Sequence, residues 1–351
     1  MTIYMLVFLA SLLLALWATP VARWAAPRLG FIDLPAARRV HSQPTPRLGG
    51  AAIYLAAIAA LLAFGERFKI HQAVSILLGA SMVSFFGLWD DRRSLSPALK
   101  LLGQFGAAAI LLLTDVRVGT FPYEWLNTAV TLLWVVGITN AMNLLDNMDG
   151  LAGGVGAVAA AFFVLLAAMN GQYLVGGLSA ALLGACIGFL VYNLNPASIF
   201  MGDAGALFLG FMLAAVGIKL RFPENLDIVT WMVPVFILGV PVFDTLLVFV
   251  SRLRRGLNPL TTPGKDHTSH RLVAMGFTQR EAVMILYLVG GALGLLAIFV
   301  TQATVLEGYV VGGAVALAGA AALMALERRY RASLAGTSES DEEKGRQSGD
   351  R

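Results

Sequence analysis

The apolar residues of this chain fall into long runs separated by short polar breaks, at approximately 3–19, 49–65, 72–89, 100–114, 125–141, 152–169, 173–192, 204–219, 229–250, 282–302 and 307–326. Most approach the roughly 20 helical residues that a bilayer core of about 30 Å requires. The pattern predicts an all-α, polytopic integral membrane bundle of about eleven transmembrane helices, or ten if one run does not cross. The first run, Ile3 to Ala18, has no charged segment before it and no small-residue cleavage site after it, so it is read as a retained helix and not as a signal peptide. Gly and Ala recur inside the runs, as in LAGGVGAVAAA and GLSAALLGA, which suits close helix packing in lipid. The transmembrane domain is placed at residues 1–326. From Glu327 the chain turns polar and closes on TSESDEEKGRQSGDR, a composition that cannot fold alone, so 327–351 is expected to be a disordered cytoplasmic tail.

Composition agrees: 58% of residues are hydrophobic and 13% charged, where a soluble domain carries about a quarter charged residues. The basic residues then orient the bundle. Placing the first loop in the cytoplasm puts five Lys and Arg there (Arg23, Arg28, Arg38, Arg39, Arg47), three between Arg92 and Lys100, six between Arg252 and Arg280 and six in the tail, against five on the other face. Cytoplasmic loops keep the basic excess, so the N-terminus is expected outside and the C-terminus in the cytoplasm. The net charge of +4 is thereby a topology signature and calls for no nucleic acid. The single cysteine, Cys186, excludes an intramolecular disulfide framework and a cysteine-based metal cluster.

Seven acids, Asp90, Asp91, Asp146, Asp149, Asp203, Asp244 and Asp266, stand at or near the cytoplasmic ends of different runs. For any one of them a helix cap or a solvated loop is the ordinary role. Asp90 and Asp91 close the third run in GLWDDRRSLSPALK, where the helix dipole disfavours an acid. Arg92 and Arg93 are at hand to neutralise them, but adjacent carboxylates also suit Mg²⁺, which commonly takes one or two carboxylates plus substrate phosphates. In ITNAMNLLDNMDGLAGG, Asn140, Asn143, Asp146 and Asp149 recur every three residues. On a continuing helix they form a polar stripe, costly in lipid unless it meets a cavity or partners. Gly150 suits a helix stop or close approach to a ligand. In VYNLNPASIFMGDAGALFLG, Asn193, Asn195 and Asp203 lead into the eighth run, with Asp203 placed as an N-cap at a helix end that also attracts phosphate.

The longest inner loop, SRLRRGLNPLTTPGKDHTSHRLVAMGF, gathers Lys265, Asp266, His267, His270 and Arg271. Such a loop is either a solvated face or the cationic side of a diphosphate site. Zinc is disfavoured, because no third His or Cys stands at a standard spacing. The first inner loop, ARRVHSQPTPRLGG, adds His41, Arg47 and a Gly pair that lets backbone approach a ligand. A transporter for nucleotide or lipid-linked sugars is the rival class, and it predicts polar groups near the midplane and at both helix ends. Their collection on the inner side favours an enzyme.

With these residues in view, the chain resembles the polyprenyl-phosphate N-acetylhexosamine-1-phosphate transferase superfamily, glycosyltransferase family 4. The likeness covers about residues 30 to 285 and rests on five motifs in family order: HSQPTPRLGG, GLWDD, NAMNLLDNMDGLAGG, NPASIFMGD and the DHTSHRL loop. The basic loop resembles the N-acetylglucosamine-1-phosphate branch more than the muramoyl-pentapeptide branch, which carries three consecutive histidines there. Many members of the former show His-x-His-His; here Ser269 takes the place of one histidine. The resemblance implies an inner-membrane enzyme with a cytoplasmic site and Mg²⁺, for which Mn²⁺ substitutes. Its substrates are a UDP-sugar and polyprenyl phosphate within the lipid bilayer, and a homodimer is compatible with it. It implies catalytic roles for Asp90, Asp91, Asp203, His267 and His270, and metal binding by Asp203, Asp91, Asp146 and Asp149. Substrate contacts are expected from His41, Arg47, Lys100, Asn143, Asp146, Asp149, Asn193, Asn195, Lys265 and Arg271. The neutral hydroxyl of Ser269 is expected to contribute less than a charged donor.

Overall fold

Lipid offers a backbone no hydrogen-bond partner, so apolar runs satisfy their amides within helices. The computed structural model of the protein is accordingly helical almost throughout. It describes residues 2–33, 44–64, 70–259, 262 and 264–349, with side chains for all of these except 70 and 332–349. The helices are α1 (Thr2–Leu29), α2 (Gly49–Ala63), α3 (Ile70–Arg92), α4 (Pro97–Leu113), α5 (Glu124–Leu145), α6 (Leu151–Met169) and α7 (Tyr173–Asn193). They continue as α8 (Gly202–Lys219), α9 (Asp227–Thr230), α10 (Met232–Ile237), α11 (Gly239–Arg254), α12 (Thr268–Ala274), α13 (Gln279–Val300) and α14 (Val305–Gly349). Two short strands, β1 (Ile32–Asp33) and β2 (Thr45–Pro46), pair antiparallel after α1.

Every apolar run falls on helix, but the runs are not equal. Among the described residues eight helices, α1, α3, α5 to α8, α13 and α14, are long and apolar enough to cross a membrane. A ninth crossing results if the α9–α10 segment and α11, bent by 76° at their junction, make one broken span. Pro234 and Pro241 flank that break, and a proline interrupts the helical ladder it enters. With 15 and 17 residues, α2 and α4 are shorter than a full span.

The centre of the bundle is α8, buried at every residue from Gly202 to Ile218. It packs against α2, α3 and α5, while α1 and α6 pack on α7. The Gly49–Gly50 pair serves this packing. A Cβ on Gly50 would come 2.1 Å from the Gly205 nitrogen, and the Gly50 N–H donates to the Met201 carbonyl at 2.7 Å. The close approach expected toward a ligand is instead an approach of α2 to α8.

At the C-terminal end, Glu327 to Arg331 continue α14, and Glu327 is only 3% exposed. The Glu327 carboxylate has a buried partner, Arg271, described below.

Candidate active site

The small β-ribbon delivers Arg47 to the C-terminal end of α3 and the N-terminal end of α8. Arg47 N–H donates to the Phe31 carbonyl at 3.0 Å, and Phe200 N–H donates to the Pro46 carbonyl at 2.8 Å. The guanidinium then lies with Nε 3.1 Å from Asp91 Oδ1 and Nη2 2.7 Å from Asp203 Oδ1. From the other side, Ser96 caps α4 by accepting from Leu99 N–H, with Pro97 in the first turn. That cap sets Lys100, whose Nζ is 3.0 Å from Asp90 Oδ2 and 2.5 Å from Asp203 Oδ2. Three carboxylates and two cations thus form one network. Arg92 and Arg93 take no part in it: both are exposed, and Lys100 and Arg47 neutralise the acid pair instead.

The three acids are not equivalent. Asp91 accepts from the backbone N–H groups of Asp203 and Ala204, at 2.9 and 3.0 Å, so it caps α8 from across a helix interface. Gly202 permits this. Its φ is +74°, and a Cβ there would lie 2.7 Å from Asp91 Oδ2. Asp203, the expected N-cap, is thereby relieved of that task, and both its oxygens face Arg47 and Lys100. Asp90 also accepts from Leu95 N–H at 2.6 Å, which fixes the turn into α4.

The polar stripe is divided by the end of α5. Asn140 points to Gln104 on α4 and exchanges amide hydrogen bonds with it, at 2.5 and 3.3 Å. Beyond Leu145 the chain leaves the helix, Asp146 N–H donates to the Asn143 carbonyl, and Gly150 starts α6 at φ +78°. Gly150 is therefore not the helix stop expected of it: α5 has already ended at Leu145, and Gly150 is the N-cap of α6. Asp146 then sits near the charge network, and its carboxylate makes no hydrogen bond or ion pair with another described residue. Burial pushes its carboxyl up to about 7, helped by Asp203, Asp91 and Asp149 and opposed by Arg47.

Three expected contacts have internal partners. Asp149 accepts from Asn195 Nδ2 at 2.9 Å and from Ala197 N–H at 3.0 Å. Asn193 accepts from Gly150 N–H and donates to the Ile199 carbonyl. Together they hold the 194–201 loop against the start of α6. His41 lies outside the described residues.

The histidine loop is anchored from α11 and α14. His267 Nδ1 is 2.7 Å from Asp244 Oδ2, and Thr268 N–H donates to Asp244 Oδ1 at 2.6 Å. Asp244 is 1% exposed; the signal that could have singled it out is a lone acid inside the apolar run VPVFDTLLVFV, which is costly without a partner. The His267 and His270 rings stand 6.1 Å apart. Burial, with the neighbouring His267 and Lys265, brings His270 down to about 4, which favours the neutral imidazole at pH 7. Asp266 is ionised against the opposing effect of burial, because Arg252 and Arg255 hold its carboxylate. Arg271, expected to contact substrate, is buried: Nε donates to the Asp266 carbonyl at 2.8 Å, Nη1 donates to Glu327 Oε2 at 3.0 Å, and the guanidinium lies over the Tyr330 ring. Lys265 remains exposed on the loop.

The donor set fits a divalent cation by its chemistry. It offers hard oxygens, and three carboxylates face only two cations, with Asp146 as a fourth acid beside them. No three His, Cys, Asp or Glu side chains among the described residues form a ready coordination shell. The oxygens of Asp203 and Asp91 are instead held by Arg47, Lys100 and backbone N–H groups, and Asp149 by its loop.

The model of glycosyl transferase family 4 matches residues 73–221. A probable undecaprenyl-phosphate N-acetylglucosaminyl 1-phosphate transferase of Bacillus subtilis is 35% identical over 307 residues, covering 85% of each chain. A decaprenyl-phosphate N-acetylglucosaminephosphotransferase of Mycobacterium tuberculosis is 34% identical over 363 aligned positions, covering 92% of this chain and 89% of the relative. A phospho-N-acetylmuramoyl-pentapeptide-transferase of Bacillus cytotoxicus is 31% identical over 289 residues, covering 73% of this chain and 83% of the relative.

Proposed function

Since this chain belongs to glycosyl transferase family 4, we propose that it transfers N-acetylglucosamine-1-phosphate from a UDP-sugar to undecaprenyl or another polyprenyl phosphate, releasing UMP. This is the first membrane step of a cell-envelope polysaccharide. Relatives named for N-acetylglucosamine phosphate transfer match more of the chain than the muramoyl-pentapeptide relative does. The observation that carries the reading is the network of Asp90, Asp91, Asp203, Arg47 and Lys100, with Asp146 beside it. Phosphoryl transfer is mainly positioning plus charge neutralisation.

An oxygen of polyprenyl phosphate attacks the sugar-bearing β-phosphorus, the bond from that phosphorus to the UMP oxygen breaks, and the products are lipid-diphosphate-sugar and UMP. A phosphate monoester has its second pKa near 6, so the nucleophile is largely dianionic at neutral pH. Asp90 then holds Lys100 to place that phosphate rather than removing a proton. Arg47 and Lys100 meet the substrate phosphates, and His267 and His270 approach from the facing loop. Asp203, Asp91 and Asp146 would hold Mg²⁺, or Mn²⁺ in its place, which would supply positive charge for the diphosphate and the leaving group. The chain is proposed to cross the inner membrane eleven times, α2 and α4 included, with its N-terminus outside and its site and C-terminus in the cytoplasm. The basic excess of the inner loops supports that orientation.

Purified protein with undecaprenyl phosphate and a panel of UDP-sugars should release UMP with UDP-N-acetylglucosamine. EDTA should stop the reaction and Mg²⁺ should restore it. Absence of UMP with every donor, or full activity in chelator, counts against the transferase or the metal respectively.

Asp146 gives this site a pH dependence of known sign. Below pH about 7 its carboxyl holds a proton, which a metal ion must displace. The half-activating Mg²⁺ concentration should therefore fall as pH rises from about 6 to 8, and Asp146→Asn should flatten that trend. Mg²⁺ titrations of UMP release at several pH values read this directly. An unchanged trend in the variant removes Asp146 from the metal set.

A further inference from the structure

Ser269 departs from the family pattern, yet its place in the structure is specific. It lies in the first turn of α12, is 1% exposed, and donates from Oγ to Asn147 Oδ1 at 2.6 Å. Asn147 is itself fixed: its Nδ2 donates to the Leu144 carbonyl at 2.8 Å, and its backbone N–H donates to the Leu145 carbonyl at 2.8 Å. The end of α5 thus uses the donor side of the Asn147 amide and leaves Oδ1 turned to α12. An amide oxygen and a hydroxyl so placed form a bond with one sense only, Ser269 donating.

The positions of the two residues give the bond its meaning. Asn147 is flanked by Asp146 and lies two residues before Asp149; Ser269 lies two residues after His267 and immediately before His270. Asp244 on α11 and Glu327 on α14 anchor the histidine loop to neighbouring helices. Neither anchor touches the turn that carries Asp146. The Ser269 hydroxyl does, through Asn147.

We propose that Ser269 and Asn147 are positioning residues that latch the histidine helix to the acid-bearing α5–α6 turn, so that the two halves of the site act on one substrate in register. The proposal rests on the transferase reading above and adds to it the element that aligns its parts.

The test uses Ser269→Ala, Asn147→Ala, the double variant and Ser269→Thr in the full-length protein in detergent. A neutral hydrogen bond is worth roughly three- to tenfold in an equilibrium or rate. Each alanine variant should lower kcat for UMP release by about that factor with a smaller change in KM for the UDP-sugar, and the double variant should fall no further than the worse single one. Ser269→Thr keeps the hydroxyl and should stay near the parent. Hydrogen exchange across 264–276 should speed up in both alanine variants. That readout is independent of turnover, so a parent without UMP release would sink the transferase reading while exchange still judges the latch. Additive losses, or alanine variants with parental kcat and parental exchange, overturn the proposal. A lower melting temperature with unchanged kcat also overturns it, since that is the mark of a structural bond alone.

Discussion

Asp203→Asn is expected to reduce UMP release to between about a hundredth and a thousandth of the parent, the scale seen when a preorganised charge contact is lost from an active site. Asp203 does not cap its own helix. Had it been the N-cap of α8, asparagine would replace it at little cost, since Asn and Asp cap about equally well. That task belongs to Asp91, which accepts from the N–H groups of Asp203 and Ala204. The Asp203 carboxylate serves Arg47 at 2.7 Å and Lys100 at 2.5 Å. An amide keeps an oxygen but removes the charge, leaving two cations with one fewer counter-ion and any divalent cation with a weaker ligand. The fold should survive, because the cap and the packing of α8 are untouched. Melting temperature and UMP release measured on one preparation decide the matter: a folded, nearly inactive variant supports the assignment, and near-normal turnover removes Asp203 from the chemistry.

The split between cap and charge was not legible in the sequence, and the reason is physical. Local patterning reports what a residue can do for its own helix. It places Asp203 at the start of α8 and names capping, but it has no access to Asp91, 112 positions earlier, whose carboxylate arrives first. The same limit applies to Asn140, which reads as part of a three-residue stripe until Gln104 on α4 claims it. It applies again to Glu327, which reads as the first residue of a polar tail until Arg271, 56 positions earlier, buries it. What the sequence did carry was anything imposed by lipid. Every apolar run is helical, because the bilayer leaves the backbone no alternative. The acids at the end of α3, the start of α8 and the α5–α6 turn converge in the structure around Arg47. The bend within 229–250 is an intermediate case: Pro234, Gly239 and Pro241 are visible in the sequence, but the 76° angle between the α9–α10 segment and α11 is seen only in the structure, where α10 packs on α13.

The other large effect is expected at Asp244, for which no role was assigned from the sequence beyond its membrane depth. Its carboxylate is buried and bound twice, to His267 Nδ1 at 2.7 Å and to Thr268 N–H at 2.6 Å. An imidazole whose Nδ1 meets a carboxylate keeps its proton on that side and presents Nε2 outward as the working atom. Replacing such a carboxylate with an amide reverses the bond, because the amide offers N–H where the acid offered a lone pair. Loss of the orienting acid in a comparable dyad costs up to about 10⁴ in kcat. Asp244→Asn should therefore lower kcat for UMP release by about 10²- to 10⁴-fold while α12 stays in place, since the Asn oxygen still accepts from Thr268. His267→Ala should fall as far, and the double variant should be no worse than either alone, because residues that act as one unit do not lose activity twice. Losses that multiply would mean that Asp244 and His267 act separately. Parental kcat with a lowered melting temperature would mean that the pair only holds α12 to α11. Losses of that size that do not multiply would mean that Asp244 fixes which nitrogen of His267 faces the substrate, and that the reaction depends on that choice.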